Sequence, residues 1–252
     1  LSPLHNEMTP DQLPALVLGI LAIAFLYSSV GHAGASGYIA IMSLLGLAPE
    51  VIRPTALALN ILVAALTAWQ FWRAGHFSWR LFWPFALLAV PLAFLGGSLV
   101  LPTRVFQWIV GATLLLSAAR LLARPHVDEP TAPPPRSLAL VLGGGIGLLA
   151  GLTGTGGGIF LTPLLVLRGW AGAHAAGAVS ALFILVNSLA GLTGNVIATK
   201  GFPTPALVLL AAAFAGGAAG SYLGSRRLPQ STIKRILAVV LLIAGGKLVL
   251  GR

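Results

Sequence analysis

The chain alternates long apolar blocks with short polar joints along nearly its whole length. Apolar runs cover approximately Leu13 to Val30, Tyr38 to Leu47, Thr55 to Trp72, Leu81 to Val100 and Val105 to Leu122. After "ARPHVDEPTAPPPR", the one long polar connection, the pattern restarts. It runs through Ser137 to Leu152, Gly158 to Leu167, Ala175 to Ala198, Pro205 to Leu223 and Ile233 to Leu250. The longer blocks, at about 18 to 20 residues, suffice for helices crossing a hydrocarbon core of ~30 Å. Tryptophans 69, 72, 79, 83, 108 and 170 fall mostly near block ends, where interfacial belts place them.

Two blocks are interrupted in a way that helix propensity opposes. "YSSVGHAGASGYIAIM", Tyr27 to Met42, sets three glycines and a histidine inside apolar sequence, although each interior glycine costs about 1 kcal/mol relative to alanine. The interruption recurs. "GHAGASGYI" from Gly31 matches "GLTGTGGGI" from Gly151 at three glycines and the closing isoleucine. Downstream, "PTALALNILV" lies against "VSALFILVNSLAG", so Thr55 corresponds roughly to Ser180, and each segment carries an asparagine, Asn60 and Asn187. Paired glycine-interrupted segments in two halves are the sequence pointer to a transporter's binding site.

The basic residues set a topology. If each broken unit crosses the membrane once, the loop Lys and Arg residues divide about evenly between the sides. If each unit is instead a re-entrant hairpin and the N-terminus lies outside, Arg73, Arg80, Arg120, Arg124, Arg136, Arg168, Arg226, Arg227, Lys234 and Arg235 fall inside. Arg53, Arg104, Lys200, Lys247 and Arg252 then fall outside, which fits the positive-inside bias better. Each half then has an odd number of crossings, so the halves must be inverted. The fold expected is an all-α polytopic membrane protein of two inverted-topology repeats. Each repeat has a glycine-broken hairpin pair and three membrane-spanning helices. The divisions are a leader, 1–12, a first repeat, 13–122, a Pro-rich cytoplasmic linker, 123–136, and a second repeat, 137–252. Whether the broken units are re-entrant or fully spanning stays open at this level.

Composition narrows the class. Hydrophobic residues make up 57% of the chain and charged ones 8%, against roughly 25% charged in soluble domains. Cysteine is absent, which removes disulfides, thiol nucleophiles and thiolate metal sites. The formal charge of +10 is spread singly or in pairs between apolar blocks, a topology and headgroup signal rather than a nucleic-acid stripe. Glu7 and Asp11 precede the first block without a basic n-region, so no cleavable signal peptide is expected.

Main chain that leaves helical geometry at membrane depth is tolerated where it lines a cavity or is buried in protein. A hairpin tip also presents the free amides and positive dipole end of its returning arm, near Gly37 and Gly157. Two tips meeting at the midplane would make an anion cradle of backbone. The candidate substrate-binding residues are His32, Gly34, Ser36, Gly37, Thr55 and Asn60 in the first half. In the second they are Thr153, Gly154, Thr155, Gly156, Gly157, Ser180 and Asn187. The chain's five carboxylates, Glu7, Asp11, Glu50, Asp128 and Glu129, all lie outside the apolar blocks. An anionic or neutral polar solute fits that inventory; a metal cation does not. No metal site or cofactor is expected.

These residues are similar to a known family. "GHAGASGYIAIMSLLGLAPEVIRPTALALNILVA" and "GLLAGLTGTGGGIFLTPLL…GAVSALFILVNSLAGLTGN" resemble the TauE/SafE sulfite exporters, also called the 4-toluene sulfonate uptake permease family. The first signature is closest to the taurine-catabolism branch. The resemblance covers nearly the whole chain from Leu13. It implies a multi-pass bacterial inner-membrane carrier of sulfur-containing anions such as sulfite, sulfonates or sulfoacetate, with export the expected direction. "GHAGASG" departs from the commoner GxGGG-like run, so residue roles transfer more securely at Gly154 to Gly158. The expected partners are the sulfur oxyanion or sulfonate, lipid and, as an oligomer, a homodimer; nucleic acid is not among them.

Plainer roles stand beside these. His32 is either a proton-coupling group, with an ordinary pKa near ~6.5, or a histidine bonded to a neighbouring carbonyl. Asn60 and Asn187 either bind substrate or join helices. Arg53, beside Pro54, either attracts anions at the outer entrance or snorkels to the interface. "GTGGG" lacks the following Gly-Lys-Ser/Thr and preceding strand of a phosphate loop. A small-anion channel and an uptake permease are the competing functions. No carboxylate pair, embedded cysteine or metal cluster supports a membrane enzyme.

Overall fold

A computed structural model describes residues 12–100, 102–122, 134–199 and 204–224, with Leu242, Gly246, Val249 and Leu250 beyond them. Among these residues there are nine α-helices and no strand. They are α1 (Gln12–Ser28), α2 (Ala35–Leu44), α3 (Pro49–Arg73), α4 (Trp79–Ser98), α5 (Thr103–Leu122), α6 (Arg136–Thr153), α7 (Gly158–Leu167), α8 (Ala173–Thr199) and α9 (Thr204–Gly224). Helices α3, α4, α6 and α8 are each long and apolar enough to cross a membrane. Most of the expected linker, 123–133, and the last apolar block except those four residues lie outside the described residues.

Each helix start and stop has a local cause. Helix α3 begins six residues before the apolar block, because Pro49 sits in the first turn, where its missing N–H costs nothing. Pro54 follows early enough that α3 continues to Arg73. Helix α6 stops at Gly154, which takes φ 80°, and the turn that follows α1 closes at Gly31, with φ 83°. Large apolar side chains point outward along the bundle, among them Leu18, Leu87, Leu95, Val141 and Phe214, which is the surface that lipid solvates.

The short helices fold back on their long partners. In the first half, Gly19 faces Ile41, Gly37 faces Ile23 and Tyr27, and the Ser36 hydroxyl donates to Tyr27 Oη at 2.8 Å. Residue numbers that rise along α1 fall along α2, so the pair is a hairpin rather than one interrupted crossing. Gly157 likewise turns back over Ile146 and Ala150 of α6.

Small residues set the helix seams. A Cβ at Gly143, Gly147 or Gly151 of α6 would collide with the backbone carbonyls of Phe85, Ala89 and Ala93 in α4. A Cβ at Gly216, Gly220 or Gly224 of α9 would meet those of Leu21 and Phe25 in α1 and of Ser29 just after it. Both seams are parallel, and both join one sequence half to the other. Backbone approach of this kind is how helices associate where lipid removes the hydrophobic drive. The core divides accordingly. One cluster holds Leu16, Ile20, Tyr38, Leu59, Val63, Val110 and Leu209 from α1, α2, α3, α5 and α9. The other holds Phe85, Ile146, Leu161, Leu165 and Phe183 from α4, α6, α7 and α8. The halves therefore exchange α4 and α9.

Candidate functional site

The two interrupted segments, together with α3 and α8, define the site. In the first loop, residues 29–34, His32 N donates to Tyr27 O at 3.0 Å, and Gly34 turns the chain with φ 107°. Gly31 is left no room for a side chain, because its Cβ position falls 2.6 Å from Gly177 Cα of α8. Tyr38 Oη donates to Ala33 O at 2.7 Å and fixes the start of α2. In the second loop, residues 154–157, Gly154, Gly156 and Gly157 all have φ between 72° and 85°. Thr155 N is held by Thr153 Oγ1 at 3.4 Å, and the two threonine hydroxyls are 2.9 Å apart.

Both loops are buried, with Ser29 1%, Ala33 0% and Thr155 4% exposed. Some main-chain amides in and just after them are nonetheless unused. From the end of the first loop into α2 the N–H groups of Ala33 to Gly37, and from the second into α7 those of Gly156 to Ile159, donate to no carbonyl or side-chain acceptor within the described residues. Buried amides are almost always paired, and here two sets of them occur at the starts of α2 and α7, where the helix dipole is positive.

The loops are linked through one side chain. His32 Nε2 lies 3.2 Å from Gly158 O and His32 Nδ1 lies 3.2 Å from Val30 O. Asn60 of α3 meets the second loop from the other side. Its Nδ2 lies 2.7 Å from the Cβ position of Gly156, and Ser188 Oγ lies 2.9 Å from that position. Asn60 Nδ2 also approaches Ser188 Oγ at 3.4 Å, while its Oδ1 has no hydrogen-bond partner. Asn187 donates to Phe183 O at 2.9 Å, which leaves its buried Oδ1 unpartnered. It shares a helix face with Phe183, Ile184 and Ser188, which touch Gly157, Gly158 and Gly156.

The structure thus brings together His32, Asn60, Gly154, Thr155, Gly156, Gly157 and Asn187. Gly34 and Gly37 shape the first loop and its hairpin. Ser36 is turned to Tyr27, and Ser180 accepts from Thr162 Oγ1 at 2.7 Å within the α7–α8 contact. Thr153 donates back to Leu149 O at 2.7 Å. Thr55 is buried with its hydroxyl unpartnered, but it lies on the face of α3 opposite Arg53, Leu57 and Asn60. Arg53 is neither at the surface nor snorkelling: it is 5% exposed, and Nη1 donates to Leu99 O at 2.8 Å and Nη2 to Gly96 O at 2.9 Å and to Gly97 O. Sequence reasoning left Ser188 and the Gly158 carbonyl out of the site. Ser188 could have been found as the residue beside Asn187 on the same helix face. The role of Gly158 is a main-chain contact that no residue type announces.

Glu50, exposed in the first turn of α3, is the one carboxylate among the described residues. An apolar helical bundle with four helices long enough to cross a bilayer is the architecture of a multi-pass membrane protein. The sulfite exporter TauE/SafE family model matches residues 15–248, and the chain belongs to that family. It is 43% identical over 238 residues to the "Probable membrane transporter protein y4hK" of Sinorhizobium fredii (strain NBRC 101917 / NGR234), covering 92% of this chain and 96% of that one. No solved structure matches it. The protein is a multi-pass bacterial membrane transporter.

Proposed function

We propose that the protein carries a small sulfur-containing oxyanion, sulfite or an organosulfonate, outward across the inner membrane by alternating access. The observation that supports this most strongly is the pair of buried loops whose amides lack partners and which His32 joins. An oxyanion accepts from several amides at once, and it is stabilised by the positive ends of α2 and α7. The sulfur chemistry and the outward direction come from the family. The reciprocal seams α4–α6 and α9–α1, and the antiparallel crossing of α3 and α8 through Asn60–Ser188 and Leu57–Gly191, are what inverted repeats 13–122 and 137–252 would produce. Because α4 and α9 are exchanged, the bodies that rock are the two core clusters and not the sequence halves. His32 sits where a proton could travel with the anion.

A stability screen of purified protein against sulfite, sulfate, thiosulfate, taurine and sulfoacetate tests the substrate, followed by counterflow in proteoliposomes. Sulfite or a sulfonate should raise the melting temperature, and Thr155→Val should weaken that response by roughly five- to tenfold. If none of these anions shifts the transition, the substrate reading fails. Large unitary currents without saturable counterflow would replace the carrier with a channel.

A further inference from the structure

We propose that Arg53 is the fixed positive charge of the anion site at the second loop, and so sets its preference for anions. The proposal rests on the oxyanion reading above.

Three observations carry it. Arg53 is 5% exposed, and its guanidinium has carbonyl partners only, at Gly96, Gly97 and Leu99. Among the described residues the charge has no carboxylate partner, Glu50 being exposed at the start of α3. A buried charge is strongly disfavoured unless it is paired, and the partial negative end of α4 offsets it incompletely. Second, Arg53 Nε is buried and has no hydrogen-bond partner, which leaves its N–H unused. Third, the stem of the side chain passes beside the first residue of the loop that holds the unused amides. The Cβ position of Gly154 lies 3.2 Å from Arg53 Cγ and 3.1 Å from Arg53 O. Nε is two bonds beyond Cγ, and Gly154 opens the loop whose next residues carry the amides of Gly156 to Ile159.

A purely structural role as a cap for α4 accounts for Nη1 and Nη2 but not for the idle Nε. It also predicts a counterpart in the second half, where the matching position is Ala178. The charge is present on one side of the pseudo-symmetric site only. The second loop thus has a permanent cation, while the first has His32. An anion that settles on the second loop completes the Nε donor set and compensates the charge together.

The test uses full-length purified protein and sodium sulfite, with sodium gluconate as the ionic-strength control. Arg53→Gln should weaken sulfite-dependent thermal stabilisation by roughly ten- to hundredfold, and Arg53→Lys should recover part of it. Unchanged sulfite affinity in folded Arg53→Gln would overturn the proposal. Should that variant fail to fold, the wild type labelled with 15N-arginine decides. The exchange-protected Nε–Hε signal of Arg53 should move saturably with sulfite, and a signal that stays still overturns the assignment. Sulfite silence combined with a response of the same signal to nitrate would keep Arg53 as the anion contact and discard sulfite as substrate. Silence to both discards both.

Discussion

His32 and Gly158 are 126 positions apart in the chain, and the imidazole Nε2 of one lies 3.2 Å from the carbonyl oxygen of the other. This contact fastens the first broken segment to the start of α7. The opposite ring nitrogen faces a second carbonyl, Val30 O, also at 3.2 Å. A neutral imidazole has a single N–H and can donate to one of these oxygens; with both nitrogens protonated it donates to both.

Replacing His32 with alanine should therefore lower stability by about 1 kcal/mol through the lost cross-loop bond. Replacing it with glutamine tests the proton instead. The pH dependence of sulfite flux in proteoliposomes should flatten in His32→Gln if protonation and transport are linked. A profile that matches the wild type would leave His32 with a fastening role alone.

Gly156 is the tightest point of the second loop. Its φ is 72°, and a Cβ there would fall 2.7 Å from Asn60 Nδ2 and 2.8 Å from Ile184 Cγ2. Gly156→Ala should cost about 1–2 kcal/mol in backbone conformation alone. Its effect on transport should be larger than its effect on melting, because the displaced groups are Asn60 and Ser188. Flux close to wild type with a lowered melting temperature would show that the loop is scaffold.

The seam between α4 and α6 offers a prediction independent of substrate. Gly147→Val drives a side chain into the Ala89 carbonyl and should destabilise by about 2–3 kcal/mol. Gly145→Val, at an exposed position with open space around it, should have little effect. A detergent melting series on the two variants checks the contrast.

His76, in the connection between α3 and α4, stacks on His174 at the start of α8, with ring centroids 4.9 Å apart. Burial lowers its pKa below the ordinary 6.5, and the neighbouring His174 lowers it further. The folded state then binds fewer protons at His76 than the unfolded chain does. Stability should be undiminished above pH ~6.5 and fall as the pH drops through and below it. The melting temperature measured from pH 7.5 to 5.5 should decline, and His76→Gln should reduce the decline. An identical slope in the variant would assign the acid sensitivity elsewhere.

The pattern of apolar blocks and glycine breaks was enough to establish a helical membrane protein with two interruptions, and "GTGGG" located one of the two breaks that form the candidate site. Those features are local: a block of apolar residues must find lipid or core, and a run of glycines cannot hold a helix. What local pattern could not supply was direction and partnership. Thr55 and Asn60 look equivalent as polar residues in one helix, yet helical phase turns Asn60 to the second loop and Thr55 away from it. Arg53 looks like an entrance residue beside a proline, yet the end of α4 packs over it and buries it. The exchange of α4 and α9 between halves, the His32–Gly158 contact and the place of Ser188 depend on which helices approach closely. Glycines permit that approach in many pairings, and only the assembled bundle selects one.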